Sequence, residues 1–421
     1  MSHPAITEAA AGDRPIPLTA PADGVPDVVQ TPEDLQRAAD ALGSGHGPVA
    51  VDAERASGFR YTGRAYLVQL RRAGAGTFLI DPTRLDGLAP VADALGDTEW
   101  VLHAASQDLP CLRAEGLSPG GNLFDTELGG RLAGLHRVAL GTMTEQLLGY
   151  TLAKEHAAAD WSTRPLPREW LTYAALDVEL LVQLRDAVAA LLAEQGKLGW
   201  AAQEFAAVRD ADPPPRVDPW RRTSGLHQLK NRRQLAALRE LWLTRDDIAR
   251  RRDIAPGRIL PDKAMTAAAS AMPRTEKDLA KLPVFSGPAN RRIGARWMAA
   301  IDRARALSDT DLPPASLPTS APPPQRSWAG KHPDAAARLT AARQQVSRLA
   351  EEHHIPAENL ITPDYVRRLC WQPPVPATER RVRDTLAEMG ARRWQVDLVA
   401  GPFTMALNGA SDPVRTDSTD E

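Results

Sequence analysis

Apolar and polar positions divide the chain into three patterned blocks separated by proline-rich stretches. In the first block, short β-rich runs alternate with helical ones. Residues 49–52 form a short apolar run ending in an acid, and residues 65–70 form a second strand run. Residues 77–80 form a third, reached across Gly74 and Gly76, so a hairpin or meander is predicted. Residues 100–103 read as another buried strand. Asp86 is placed to cap a helix running through Leu95, and Ser106 to cap one just after the later strand. Helical spacing then covers 126–135, 143–148 and 167–192. Such alternation predicts an α/β domain with a mixed sheet over residues 31–209.

The second and third blocks, 218–306 and 328–405, carry helical spacing without strand signals. Leu235, Leu238, Trp242 and Ile248 fall near one helical face, and Ile293, Trp297, Ala300 and Ile301 repeat the pattern. Leu339, Val346 and Leu349 precede Ile355, Val366, Leu369, Leu386 and Trp394 in the third. Two small all-α bundles are therefore predicted. The 36 prolines exceed the usual share of about 5%, and where they cluster matters more than how many there are. Residues 1–30 hold five of them, at 4, 15, 17, 21 and 26, with little apolar content, which predicts a disordered arm. The runs at 210–217 and 307–327 read as stiff linkers, and 406–421 as an acidic tail.

At roughly 100–200 residues per domain, 421 residues admit two to four domains. Only Cys111 and Cys370 occur, which excludes a disulfide framework and a cysteine-built zinc site and points to a reducing, cytoplasmic setting. The start, Met1-Ser2-His3-Pro4, lacks a basic leader with an apolar core, and no apolar run approaches the roughly 20 residues that span a bilayer. Neither secretion nor membrane insertion is expected. A net charge of -2 argues, at face value, against a nucleic-acid partner. Residues 221–306, however, hold 20 Lys and Arg against 8 Asp and Glu, a balance of +12, which leaves -14 for the rest of the chain. The neutral whole hides a basic module beside an acidic remainder.

Three places in the first block carry chemistry. Asp52-Ala53-Glu54 ends a buried strand, and the strand period of two turns both carboxylates to one side, where they repel unless a cation neutralises them. Asp108 follows the later strand in His103-Ala104-Ala105-Ser106-Gln107-Asp108-Leu109; His103 reads as locally hydrogen-bonded rather than as a ligand. Tyr173 and Asp177 are four apart in a strong helix and share a face. Each alone has an ordinary structural explanation. Together they form a set of hard oxygen ligands suited to magnesium or manganese. Two such ions about 3.5–4 Å apart can hold the attacking and leaving oxygens of a phosphoryl transfer.

On these residues the first block resembles the ribonuclease D family of the DEDD exonuclease superfamily. Val49-Ala50-Val51-Asp52-Ala53-Glu54 is similar to its first motif, the segment from His103 to Leu109 to its second, and Leu171-Thr172-Tyr173-Ala174-Ala175-Leu176-Asp177-Val178 to its third. Lys154 and the segment Asp160-Trp161-Ser162-Thr163-Arg164-Pro165-Leu166 are similar to the family as well. Thr172 stands where one branch of the superfamily has a histidine, which indicates the tyrosine branch. The basic module resembles an HRDC domain, and the third block a degenerate HRDC-like unit. The resemblance implies a ribonuclease H-like exonuclease fold followed by two helical bundles. It implies two divalent ions, Mg2+ or Mn2+, bridged by Asp52. Glu54 and Asp177 would complete one ion's site, Asp108 would serve the other, and Tyr173 would orient the attacking water. Asp125 matches the family too and is read as a helix cap or structural hydrogen-bonder.

The expected activity is release of nucleoside 5′-monophosphates from RNA 3′ ends, on a tRNA precursor or other structured RNA. No protein partner is inferable. Lys154 and Arg164 are expected phosphate contacts near the site. In the basic module the candidates are Arg221, Arg222, Lys230, Arg232, Arg233, Arg250, Arg251, Arg252, Arg291, Arg292 and Arg296. A 3′→5′ DNA exonuclease and a catalytically silent RNA-binding scaffold are the alternatives, since carboxylates do not distinguish deoxyribose from ribose.

Overall fold

A computed structural model of the chain describes residues 14–152, 158–212, 216–317 and 321–409. The strands are β1 (Ile16–Leu18), β2 (Val28–Val29), β3 (His46–Arg55), β4 (Ala65–Ala73), β5 (Gly76–Ile80), β6 (Trp100–Leu102), β7 (Leu123–Asp125) and β8 (Tyr150–Leu152). Six of them form one mixed sheet in the order β2-β5-β4-β3-β6-β7. The β3-β4-β5 meander is antiparallel, while β2, β6 and β7 join in parallel. Gly74 and Gly76, both at positive φ, make the tight turn between β4 and β5 that a side chain would strain. The remaining pair, β1 and β8, lies apart as a two-stranded parallel sheet.

Strand alternation explains why β3 has two different faces. Val49, Val51 and Ala53 enter a core with Leu35, Ala38, Ala39 and Leu42 of the helix Pro32–Ser44. Asp52 and Glu54 point to the opposite side of the sheet. The predicted 167–192 helix is two helices, Arg168–Glu179 and Leu181–Glu194, broken at Leu180. Asp86 does not cap the helix Ala89–Leu95, whose N-cap is Leu88. Nor does Ser106 act as a cap: it lies inside a short 3-10 turn, Ala105–Gln107, and Asp108 occupies the N-cap position of the helix Leu109–Ala114.

The two helical bundles relate to the sheet domain in different ways. The second block has its own core, built around Trp220, Leu238, Leu241, Met265, Trp297 and Ile301. It touches the sheet domain on the loop after β3. There Asp253 accepts from the Tyr61 and Thr62 backbone N–H groups at 3.2 Å, and the Ala255 N–H donates to the Phe59 carbonyl at 2.9 Å. Arg258 donates to the Gly58 carbonyl at 2.6 Å and covers the Phe59 ring at 4.2 Å. The third block shares one continuous core with the sheet domain, in which Val178, Leu184, Val188 and Phe205 join Leu339, Leu369, Trp394 and Phe403. The Trp200 and Trp394 rings stack with centroids 4.9 Å apart. Lys197 reaches across to donate to the His353 carbonyl at 2.6 Å.

Several segments expected to be irregular are built into the structure. Residues 1–13 lie outside the described residues, but 14–30 are not a disordered arm. They contribute β1 and β2, and the Ala22 N–H donates to Glu179 at 3.1 Å. Pro17 is tolerated because β1 lies at an edge, where its missing N–H breaks no central ladder. The 307–327 stretch is not wholly a linker. Leu312 joins the second block's core, and Arg232 donates to the Leu312 and Pro313 carbonyls at 2.5 and 3.1 Å. At its other end the Trp328 indole donates to the Pro323 carbonyl at 2.9 Å. Residues 406–409 are still helix, within Arg393–Gly409, with Ala406 and Leu407 buried; 410–421 lie outside the described residues.

Candidate active site

The sheet's central strand and one covering helix bring three carboxylates together. Asp52 and Glu54 project from the end of β3, and Asp177 comes down from the helix Arg168–Glu179 that lies across that face. Each offers an oxygen, and these three oxygens lie within 4.8 Å of one another. All three side chains are half-buried. One turn before Asp177, Tyr173 hydrogen-bonds its carboxylate. The Tyr173 ring lies 6.4 Å, centroid to centroid, from Trp161, which is fully buried.

Asp108 approaches from the neighbouring strand, and a second acid fixes how it is presented. Asp125, at the end of β7, accepts from the Glu127 and Leu128 N–H groups as cap of the helix Thr126–Leu132. Its carboxylate also accepts from the Ala104 and Ala105 N–H groups, at 3.0 and 2.9 Å. Four backbone donors on one buried acid hold the left-handed turn at Ala104, where φ is 61°, that leads into Asp108. Asp125 is thus a structural hydrogen-bonder. His103 Nδ1 lies 2.9 Å from the Thr126 hydroxyl, and burial pushes its pKa down to about 4, so it stays neutral.

Asp108 itself is not part of the three-acid cluster: its Oδ1 pairs with Arg55 Nη2 at 3.1 Å. Arg55, the residue directly after the Asp52-Ala53-Glu54 triplet, was not a predicted site residue. Its sequence signal was a guanidinium one position beyond two acids. It reaches Asp108 from the end of β3, where the side chain can pass beyond the last strand position to the turn that follows β6.

The electrostatics are those of a site that wants a cation. Burial raises the Asp52 pKa and lifts Asp177 well above the usual carboxylate range. Burial, then the neighbouring Asp52, Asp177 and Asp108, pushes Glu54 up to about 10; burial and Asp52 push Asp108 up to about 8. A cluster of oxygen donors that holds protons against neutral pH fits a hard divalent cation, which would displace them. The folded protein keeps protons that the unfolded chain loses near pH 4. Cation-free stability should therefore fall as pH rises from about 4.5 through 8 and towards 10. Added Mg2+ should flatten that decline and release protons on binding. Thermal melts across pH, with and without Mg2+, and calorimetry in buffers of different ionisation enthalpy measure both effects.

The predicted basic contacts divide sharply. Arg164 is not available to a phosphate. Its five N–H donors all go inward, to both oxygens of fully buried Asp81 and to the Tyr66, Trp161 and Thr163 carbonyls. Burial would raise Asp81, but Arg164 and Thr83 together bring it below its ordinary value. Lys154 lies outside the described residues. In the basic module, Arg221 pairs with Asp218 at 3.0 Å and stacks on Trp220, while Arg232 closes on the Leu312 and Pro313 carbonyls. Arg233 is committed to the Ala304, Arg305 and Leu307 carbonyls and to Asp309. These three hold the module together. Arg250, Arg251 and Arg296 are exposed and share a single acid, Asp247. Arg222, Lys230, Arg252, Arg291 and Arg292 are exposed as well. Trp220, Phe285 and Trp297 are buried in the module's core.

Comparison with known proteins follows the same three-part layout. Residues 26–193 match a family described as 3′-5′ exonuclease, 234–301 match the HRDC domain, and 321–407 match a family described as 3′ to 5′ exonuclease C-terminal domain. A ribonuclease D from Gluconacetobacter diazotrophicus is 32% identical over 352 residues, covering 78% of this chain and 88% of its own. The crystal structure of a protein from Bifidobacterium adolescentis superposes with a TM-score of 0.87 at 39% identity, covering 94% of this chain and all of the other. That of Escherichia coli RNase D, described as an exoribonuclease involved in structured RNA processing, superposes with a TM-score of 0.67 at 25% identity, covering 91% and 98%. Fold and acids together thus define a 3′→5′ exonuclease whose catalytic domain is followed by an HRDC domain and a C-terminal helical region. The chain belongs to the ribonuclease D family, and its activity is that of a 3′→5′ exoribonuclease.

Proposed function

We propose that Asp52, Glu54, Asp108 and Asp177 hold two divalent cations, Mg2+ or Mn2+, and that with Tyr173 they hydrolyse the terminal phosphodiester of an RNA 3′ end. The observation that carries this reading is the convergence of Asp52, Glu54 and Asp177 within 4.8 Å. The bound cations supply Lewis acidity, lowering the pKa of the attacking water and offsetting charge on the phosphate. Asp52 and Glu54 are positioned by β3, so a rigid strand rather than a loop sets the spacing of the donors. Asp177 orients the Tyr173 hydroxyl, which in turn aims the attacking water at phosphorus. Burial and the nearby acids raise the Tyr173 pKa above its ordinary value, so the phenol acts as a neutral hydrogen-bonder and not as the base. The product is a nucleoside 5′-monophosphate.

The substrate class follows from the charge division. Exposed Arg222, Lys230, Arg250, Arg251, Arg252, Arg291, Arg292 and Arg296 give the HRDC domain a phosphate-binding surface that positions a strand without reading its sequence. A tRNA precursor or another folded RNA with a free 3′ end suits such a surface, and a cytoplasmic setting suits both the substrate and the free, buried Cys111 and Cys370. Among the described residues, no helix is long and apolar enough to cross a membrane.

The test is Mg2+-dependent release of mononucleotides from matched 3′-labelled RNA and DNA single strands. Faster release from RNA is expected. Equal or faster release from DNA favours the DNA exonuclease, and no release from either favours the silent scaffold. Tyr173→Phe should lower kcat roughly 100-fold with KM little changed, since losing the orientation of a reacting group costs about that much. An unchanged kcat would remove Tyr173 from the mechanism.

A further inference from the structure

We infer that Arg55 is a substrate-binding residue that alternates between Asp108 and the phosphate of the RNA 3′ end, released to the phosphate when a divalent cation takes Asp108. This rests on the assignment of the four acids as cation ligands and adds a residue to that site. Three features of Arg55 carry it.

The first is position. Arg55 is the last residue of β3, directly after Glu54, so its long side chain leaves the strand end that carries the acids. The second is partnership. Asp108 stands apart from the three converged carboxylates, and Arg55 Nη2 sits 3.1 Å from its Oδ1. The guanidinium therefore occupies the one acid of the set that the cluster leaves out. The third is spare capacity. Arg55 Nη1 donates to the Gln107 carbonyl at 2.6 Å; beyond this bond and the Asp108 pair no hydrogen bond or ion pair of Arg55 is found among the described residues, although its charge also acts on Asp52 and Glu54. Its side chain is 31% exposed, against 8% for Asp108, so the guanidinium has an open side towards solvent and the acid does not. Arg164 shows the contrast: with all five donors inside the fold, it has nothing to offer a ligand.

These features give two linked consequences. Arg55 and a cation compete for Asp108, since a carboxylate paired with a guanidinium is a poorer metal ligand than a free one. Once displaced, a planar guanidinium beside the acids matches a phosphate in both charge and shape, whereas a return to Asp108 is blocked while the cation stays. RNA and cation then support each other's binding through Arg55, and by linkage the effect runs equally in both directions.

The experiment compares the full chain with Arg55→Gln and Arg55→Lys. Mn2+ binding is titrated by calorimetry. RNA binding is measured across salt with an oligonucleotide whose terminal linkage is a methylene-bridged phosphonate, which keeps its charge and resists cleavage. Arg55→Gln is expected to tighten the weaker Mn2+ site by about fivefold or more. With Mn2+ present, it should weaken RNA binding and flatten the log–log salt slope by about 0.7, the value of one single-strand phosphate contact. Without Mn2+ its RNA binding should match the parent's. Arg55→Lys should move the Mn2+ isotherm back towards the parent's. An unchanged Mn2+ isotherm in Arg55→Gln, or an unchanged salt slope with Mn2+, would overturn the inference while leaving the cation assignment standing. Absence of Mn2+ binding by the parent protein would instead overturn that assignment and the inference with it.

Discussion

Asp177→Asn is expected to abolish nucleotide release, by on the order of 10^3-fold or more, while leaving the fold and RNA binding intact. The substitution keeps the size of the side chain and the hydrogen bond with Tyr173, and it removes one charged oxygen from three that lie within 4.8 Å of one another. Without cation, the carboxylates at this site repel. Asp177 helps hold Glu54 at about 10, so its removal lowers the pKa of its neighbour and relieves strain in the cation-free protein. The melting temperature without Mg2+ should therefore stay level or rise, and its decline with increasing pH should become shallower. The Mg2+-induced rise should be lost. Activity near the parent's in Asp177→Asn would refute the site, and a collapsed fold would show that Asp177 is structural instead. Single-turnover release from 3′-labelled RNA, paired with melts in Mg2+ and in chelator, separates these outcomes.

The second large effect concerns stability. Trp394→Ala is expected to cost about 3–5 kcal/mol and to destabilise the exonuclease domain along with the C-terminal region. Trp394 is 3% exposed and stacks on Trp200 of the sheet domain. Its indole donates to Glu204 at 3.0 Å, an acid that Arg392 also pairs with at 3.2 Å. Truncation leaves a cavity in a core contributed by both regions and takes a hydrogen bond from a buried carboxylate. Trp297→Ala removes an equally buried side chain from the HRDC core, which is separate. It should unfold that module alone and spare cleavage of short single strands. Urea unfolding followed alongside activity distinguishes the two. Loss of activity in step with unfolding is expected only for Trp394→Ala, and the shared core is refuted if its activity survives loss of the C-terminal region.

Much of the candidate site was legible because its spacings are local. A strand period of two puts Asp52 and Glu54 on one side, and a helical period of 3.6 puts Tyr173 beside Asp177; neither depends on distant contacts. Asp125 was legible as a cap for the same reason. Its second pair of donors, Ala104 and Ala105, comes from another strand end and was not. The basic residues were legible as a net charge but not as individuals. Arg164, Arg221, Arg232 and Arg233 read in sequence like any other arginine, and their carbonyl and carboxylate partners lie up to 98 residues away.

The sequence by itself determined the mixed α/β class and the helical character of the later blocks, because each follows from short-range periodicity, and its resemblance to a known family marked the four candidate acids and the tyrosine. Tertiary structure alone decided which units share a core. Apolar spacing marks a buried face without naming what buries it, so the third block looked independent although it completes the sheet domain's own interior. It also decided that the proline-rich residues 14–30 join two sheets, and that Arg55 pairs with Asp108. A backbone partner at an edge and an ion pair between two strand ends are made by chain segments far apart in sequence, and no local pattern encodes them.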